Sequence, residues 1–185
     1  MSALTCTAPC GALAGRLIIL DLGKGPGQAR VLSYALENKA LDVLVSNITT
    51  WPDGVQVDTR LGKGQIYWTC MGGQGDGLLM RAEADGSGAE VIVKPGETFT
   101  PKQLAIDLTN ERLYWSDREG MRVMRSSLDG SNIETLVRTG ITDEDRQDAT
   151  RYCVGIAIDL ERGLLYWTQK VGQMYLMSLF LSTNL

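Results

Sequence analysis

Three aspartates close three similar apolar runs: Asp58 ends Val55-Gln56-Val57-Asp58, Asp107 ends Leu104-Ala105-Ile106-Asp107, and Asp159 ends Ile156-Ala157-Ile158-Asp159. Carboxylates that recur once per structural unit could converge on a cation or share acid–base work. The rest of the sequence gives that chemistry little help. The chain has no histidine, the commonest general base, and no carboxylate pair stands out from the recurring aspartates. A turn or capping role, in which the side chain accepts nearby backbone N–H bonds, fits an aspartate at the end of an apolar run better. No residue is assigned a catalytic, cofactor-binding or metal-ligating role, and no cofactor is expected.

The remaining candidates are weaker. Cys6 and Cys10 form a C-x3-C near the N-terminus, but a zinc site would need two further ligands. Cys70 and Cys153 fall in different repeats, so all four cysteines are expected to be free thiols. Gly23-Lys24-Gly25-Pro26-Gly27 lacks the spacing of a phosphate loop and reads as a turn. Asn47-Ile48-Thr49 is a glycosylation sequon, expected to be silent because it needs export to matter. Asp143-Glu144-Asp145 with Asp148 reads as a solvated acidic connection, with a cation or a basic partner as the sharper alternative. Met71 to Gly77 is a glycine-rich loop expected to widen one rim.

The elements that must position these residues are short strands. Residues 104–107, 113–116, 123–128 and 133–137 read as four strands separated by turns, with Asp129-Gly130 as a hairpin signal. The unit repeats upstream, through Val55–Asp58, Ile66-Tyr67-Trp68-Thr69, Met80–Ala84 with Asp85-Gly86, and Glu90–Val93. It repeats in part downstream, through Ile156–Asp159 and Leu165-Tyr166-Trp167-Thr168. A fainter first copy follows when Leu36-Glu37-Asn38 is laid on Leu128-Asp129-Gly130. Its strands are expected at Arg16–Leu22, Val31–Leu36 and Ala40–Val45. Trp68, Trp115 and Trp167 lie 47 and 52 residues apart, the length of one propeller blade.

Tyr114-Trp115-Ser116-Asp117, Tyr67-Trp68-Thr69-Cys70 and Tyr166-Trp167-Thr168-Gln169 resemble the YWTD repeats of the low-density-lipoprotein-receptor class, over roughly residues 15 to 170. The resemblance implies an all-β, six-bladed β-propeller of four-stranded antiparallel blades, of which about three and a half to four are present. Blades are expected at about 15–50, 51–98, 99–145 and from 150 to 173 onward, after a tail at 1–14. Because Cys70 and Gln169 replace the last residue of the signature, any hydrogen bond made by that carboxylate is expected at Asp117 alone. The tyrosines and tryptophans are expected in the core, since one pair per blade is what packing between blades demands.

Net charge of −4 and a pI near 4.9 argue against a nucleic-acid surface. No apolar run is long enough to span a membrane, and residues 1–15 do not read as a secretory signal, so an intracellular location is expected. After Thr168 the repeat loses its Arg and Asp-Gly, and residues 174–185 read as an atypical tail with no fourth strand. Six blades would need roughly 100 residues more, so a truncated product with open, self-associating edges is expected. The functional expectation is a non-enzymatic module that binds an unidentified protein. The alternative is a fragment of a six-bladed hydrolase of the lactonase or strictosidine-synthase-like type.

Overall fold

The computed structural model describes residues 15–25, 27–60, 64–73, 75–171 and 174–181. The fold is all-β: the described residues form four antiparallel sheets laid out in sequence order, with two single-turn 3-10 helices, Asp145–Gln147 and Ala149–Arg151, before the last. The first holds β1 (Arg16–Asp21), β2 (Ala29–Ala35) and β3 (Leu41–Ile48). The second holds β4 (Trp51–Val57), β5 (Gln65–Met71), β6 (Leu78–Glu83) and β7 (Glu90–Val93). The third holds β8 (Pro101–Asp107), β9 (Arg112–Asp117), β10 (Arg122–Ser127) and β11 (Glu134–Arg138). The fourth holds β12 (Cys153–Asp159), β13 (Leu164–Val171) and β14 (Met174–Leu181).

Register shows which blade strands the end sheets hold. Asp21 pairs with Arg30 across β1 and β2 as Asp117 pairs with Arg122 across β9 and β10. Thus β1, β2 and β3 correspond to the second, third and fourth strands of a blade, while β12, β13 and β14 are the first three. The segment read as a tail from residue 174 instead pairs with β13 along its length, from Leu164↔Leu181 to Val171↔Met174. It carries no Arg or Asp-Gly because strand pairing needs only backbone groups and a turn.

Core formation explains the Tyr-Trp dipeptide. Successive strand residues point to opposite faces, so Trp68 packs against the first sheet with Val31 and Ile48, while Tyr67 packs against the third with Leu104 and Leu113. One blade later, Trp115 faces back into the second sheet and Tyr114 forward to Cys153, Leu165 and Trp167 of the fourth. Each dipeptide therefore belongs to two interfaces. Tyr67, Trp68, Tyr114 and Trp115 are fully buried, and Trp167 nearly so. Tyr166 is only half-buried, against the expectation of a core residue, since among the described residues no sheet lies on its side of the fourth.

Hydroxyls of the signature join sheet to sheet. Thr69 Oγ1 donates to the Lys102 carbonyl at 2.6 Å and accepts from the Gly54 N–H at 2.8 Å. Ser116 Oγ donates to the Val154 carbonyl at 2.5 Å. Both bonds reach from the second strand of one blade to the first strand of the next. Gly54 suits this approach, since a Cβ there would lie 2.6 Å from the Lys102 carbonyl oxygen.

Candidate interaction face

The connections fall on two faces. On the first lie the turns between the first and second and between the third and fourth strands of each blade, and these hold the recurring aspartates. Asp107 accepts the Thr109 and Asn110 N–H groups at 2.9 and 3.0 Å and the Asn110 side-chain amide at 2.7 Å. Asp58 accepts the Arg60 N–H at 2.9 Å and its guanidinium at 2.7 Å, and Asp159 engages Arg162 in the same two ways at 3.0 and 2.8 Å. Asp58 and Asp107 are buried. Their oxygens are thus engaged in closing turns and holding arginines.

The Asp-Gly turns work similarly. Asp85 accepts from the Ser87 N–H, and Asp129 from the Ser131 N–H and hydroxyl. The Ser87 and Ser131 hydroxyls, with the N–H groups of the same residues, hold both carboxyls below the usual carboxylate range. Gly86 and Gly130 have φ of +85° and +82°, and a Cβ would lie 2.2 Å from the Leu44 carbonyl oxygen or 1.9 Å from that of Ile92. Each Asp-Gly turn therefore rests on the outermost strand of the preceding blade. Between the second and third sheets this face carries a groove of about 780 Å³, lined by Asp58, Arg60, Tyr67, Arg81 and Asp129 among others. Arg60 bridges the two sheets through Glu111 and the Leu108 carbonyl, both at 3.1 Å.

The opposite face carries the longer connections, and Asp117 organises the entry of one. Buried at the end of β9, it accepts the Thr100 N–H at 2.7 Å, the Phe99 N–H at 3.0 Å and the Arg122 guanidinium at 2.6 Å. Its arginine pairing, expected at Asp117 alone, recurs once more. Asp21 holds Arg30 and the Gly23 N–H in the first sheet, though the missing Tyr-Trp hides the correspondence in sequence. In the fourth sheet the Gln169 amide donates to the Thr150 carbonyl at 3.3 Å, steadying the same strand entry with a donor instead of an acceptor. At Cys70 the position holds a buried thiol, which burial pushes up to about 11, as at Cys153. Both thiols are free and sit in separate clusters, whereas Cys6 and Cys10 lie outside the described residues.

This face exposes large apolar residues that the repeat does not require, as the first face does at Leu36 and Leu160. Trp51, at the start of β4, is 51% exposed, and Ile141, in the connection between β11 and β12, is 77% exposed. The charges on the face are largely matched. Asp53 pairs with Lys102 at 2.5 Å and accepts from Gln103 at 3.0 Å. Arg146 pairs with Asp143, stacks 4.3 Å from the Phe99 ring centre and donates to the Glu119 carbonyl at 2.8 Å.

The acidic connection is partly neutralised from within, two arginines facing four carboxylates. Arg151 lies 3.4 Å from both Asp145 and Asp148. Asp145 accepts the Ile141 and Thr142 N–H groups at 2.8 and 3.1 Å, so an ordered turn presents Ile141 to solvent. Among the described residues no cluster of three or more Cys, Asp or Glu could hold a metal ion. Trp51 could have been singled out in the sequence as the one tryptophan outside the repeat spacing, but Ile141 carried no signal. Among the described residues, no helix is long and apolar enough to cross a membrane.

No family model matches the chain. Over 166 residues it is 41% identical to low-density lipoprotein receptor-related protein 1 of Pyricularia oryzae, covering 84% of this chain and 53% of that protein. It is 37% identical over 164 residues to the 3-hydroxyacyl-CoA dehydrogenase-like protein LAM1 of Cochliobolus heterostrophus, covering 84% of this chain and 34% of that one. The chain thus spans about half or less of the curated relatives it matches. Among solved structures, the nidogen/laminin complex superposes with a TM-score of 0.67 at 20% identity, over 89% of this chain and 57% of that one. At that identity the likeness speaks to the fold.

Proposed function

We propose, from the premise that the chain belongs to the YWTD-repeat β-propeller family of the low-density-lipoprotein-receptor class, that it is a non-enzymatic protein-interaction module. Its contact surface is the face bearing Trp51 and Ile141. The observation that carries this reading is the exposure of Trp51, an aromatic of the kind that anchors interfaces, together with Ile141 on a face most of whose charges are paired. An apolar anchor within a ring of satisfied polar groups is the usual make-up of a binding hot spot. The nidogen/laminin complex lends support by analogy. A hydrolase reading would draw on Asp58, Asp107 and Asp159, and these already accept turn N–H groups or hold Arg60 and Arg162.

The test is site-directed photocrosslinking in cells, with a benzoylphenylalanine at position 51 or 141 and a control at position 85 on the opposite face. The expected result is one protein crosslinked from 51 and 141 but not from 85, with affinity for the purified chain falling about tenfold or more in Trp51→Ala. Crosslinks confined to position 85, or affinity indifferent to Trp51→Ala, would sink the proposal.

A further inference from the structure

Residues 140–150, which join the third sheet to the fourth, form a loop closed at its base. Arg151 donates to the Thr139 carbonyl at 2.9 Å, and the Thr139 hydroxyl donates back to the Arg151 carbonyl. A loop whose ends meet and whose own side chains brace it is a compact unit, able to carry a contact residue. Within it, Asp145 gathers the Ile141 and Thr142 N–H groups, and the Thr142 hydroxyl accepts the Asp145 N–H at 3.1 Å. These bonds fix the shape of the turn that bears Ile141, but none of them joins that turn to the body of the protein.

The middle of the loop is joined to the body by Arg146. Its guanidinium lies over the Phe99 ring, and its Nε–H donates to the Glu119 carbonyl, so both contacts reach outside the loop; its pairing with Asp143 stays inside. Its own carbonyl accepts the Tyr152 hydroxyl at 2.6 Å. Phe99 is a fixed platform for the stack. Its N–H is held by Asp117, and its carbonyl accepts the Gly77 N–H at 3.1 Å. Gly75, at φ +86°, passes so close that a Cβ there would stand 2.8 Å from Cε2 of the ring. The glycine-rich loop of the second sheet, the entry to the third and the connection to the fourth therefore meet at one side chain.

We infer that Arg146 is a positioning residue of the interaction face: by stacking on Phe99 it holds the 140–150 loop against the body and presents Ile141 at a fixed place relative to Trp51. The inference rests on the reading of this face as the contact surface. An anchor already in place spares the ordering cost that a loose loop would incur on association. Arginine suits the task because a planar guanidinium can cover a ring and donate from its edge at once, which the ammonium of lysine cannot.

Hydrogen exchange on the full chain, followed residue by residue, reads the loop without a partner. In Arg146→Gln the Ile141 and Thr142 amides should exchange about tenfold faster, while those of β9 and the urea midpoint stay as in wild type. Phe99→Leu, which keeps the backbone bonds to Asp117 and Gly77, should do the same, and the double variant should go no further than either alone. Arg146→Lys keeps a positive charge beside Asp143 and should not restore slow exchange. Photocrosslinking then reads the face: with Arg146→Gln, capture from position 141 should drop severalfold while capture from position 51 persists. Unchanged exchange at Ile141 and Thr142, additive effects in the double variant, rescue by lysine, or equal loss of both crosslinks would overturn the inference. Wild type that crosslinks from neither position would instead overturn the reading of the face, and exchange would still decide whether Arg146 holds the loop.

Discussion

Replacing Trp115 by alanine isolates what burial between two sheets contributes. The indole is 0% exposed among Leu79, Val93, Leu104, Leu113 and Met124, and its Nε1 donates to the buried Thr98 hydroxyl at 3.0 Å. A buried aromatic of about 150–250 Å² corresponds to about 4–6 kcal/mol of transfer free energy, of which alanine retains a part. Measured truncations of this kind cost about 3–5 kcal/mol, and the lost hydrogen bond lies within that range. Ile19→Ala is the control. Ile19 holds the equivalent register position but is 39% exposed, so its truncation opens no closed cavity and should cost less than about 1.5 kcal/mol. Urea titration followed by far-UV circular dichroism, at concentrations low enough to keep the chain monomeric, measures both. A loss below about 1 kcal/mol for Trp115→Ala, or equal losses at the two positions, would refute the assignment of the sheet interfaces.

Asp117→Asn should cost about 3–5 kcal/mol, because Arg122 is left largely buried without its counter-charge and the Phe99 and Thr100 N–H groups lose a charged acceptor; chemical denaturation reads it directly. Gly130→Ala should cost at least about 2 kcal/mol, combining a left-handed φ with a carbonyl 1.9 Å from the new Cβ. Gly88→Ala, with the nearest atom 3.9 Å away, should cost about half as much or less in the same thermal melts. Stability should fall in acid, since Asp85, Asp129 and Asp159 have lowered pKa values in the folded chain. Their contributions are present above the unfolded carboxylate value near 3.9 and are lost as pH falls through the folded ones. Melting curves from neutral to acid pH should show that slope, and Asp129→Asn should flatten it. Cys70 and Cys153, buried and pushed up to about 11, should resist a disulfide reagent until urea unfolds the chain, when both should react in a Cys6→Ser, Cys10→Ser background.

The repeat was legible because blade packing demands the same residue types at the same spacing, and Tyr67-Trp68, Tyr114-Trp115 and the Asp-Gly turns state that demand openly. Less legible was anything set by what lies beside a sheet. Tyr166 and Tyr114 read alike in sequence, yet one is half-buried and the other fully buried, because among the described residues only Tyr114 has a sheet in front of it. Asp21 was missed because Leu17-Ile18-Ile19-Leu20 has no aromatic to mark the register, while the Arg30 partner lies across a hairpin. The strand at Met174–Leu181 was missed because backbone pairing leaves little trace when the turn residues and arginine of the repeat are replaced. Ile141 was invisible for a related reason: its exposure depends on Asp145 closing a turn in a loop outside the repeat.

Because Tyr67-Trp68 and Tyr114-Trp115 are each shared between two interfaces, the second and third sheets do not reach full stability unless the sheets on both sides are in place. The chain then behaves as a short row of coupled units, in which loss of order at one end removes support from the next unit inward. Amide protons of β5 and β9 should outlast those of β1 and β13 in hydrogen exchange, and opening should advance from the ends toward the seam where Tyr67 meets Trp115.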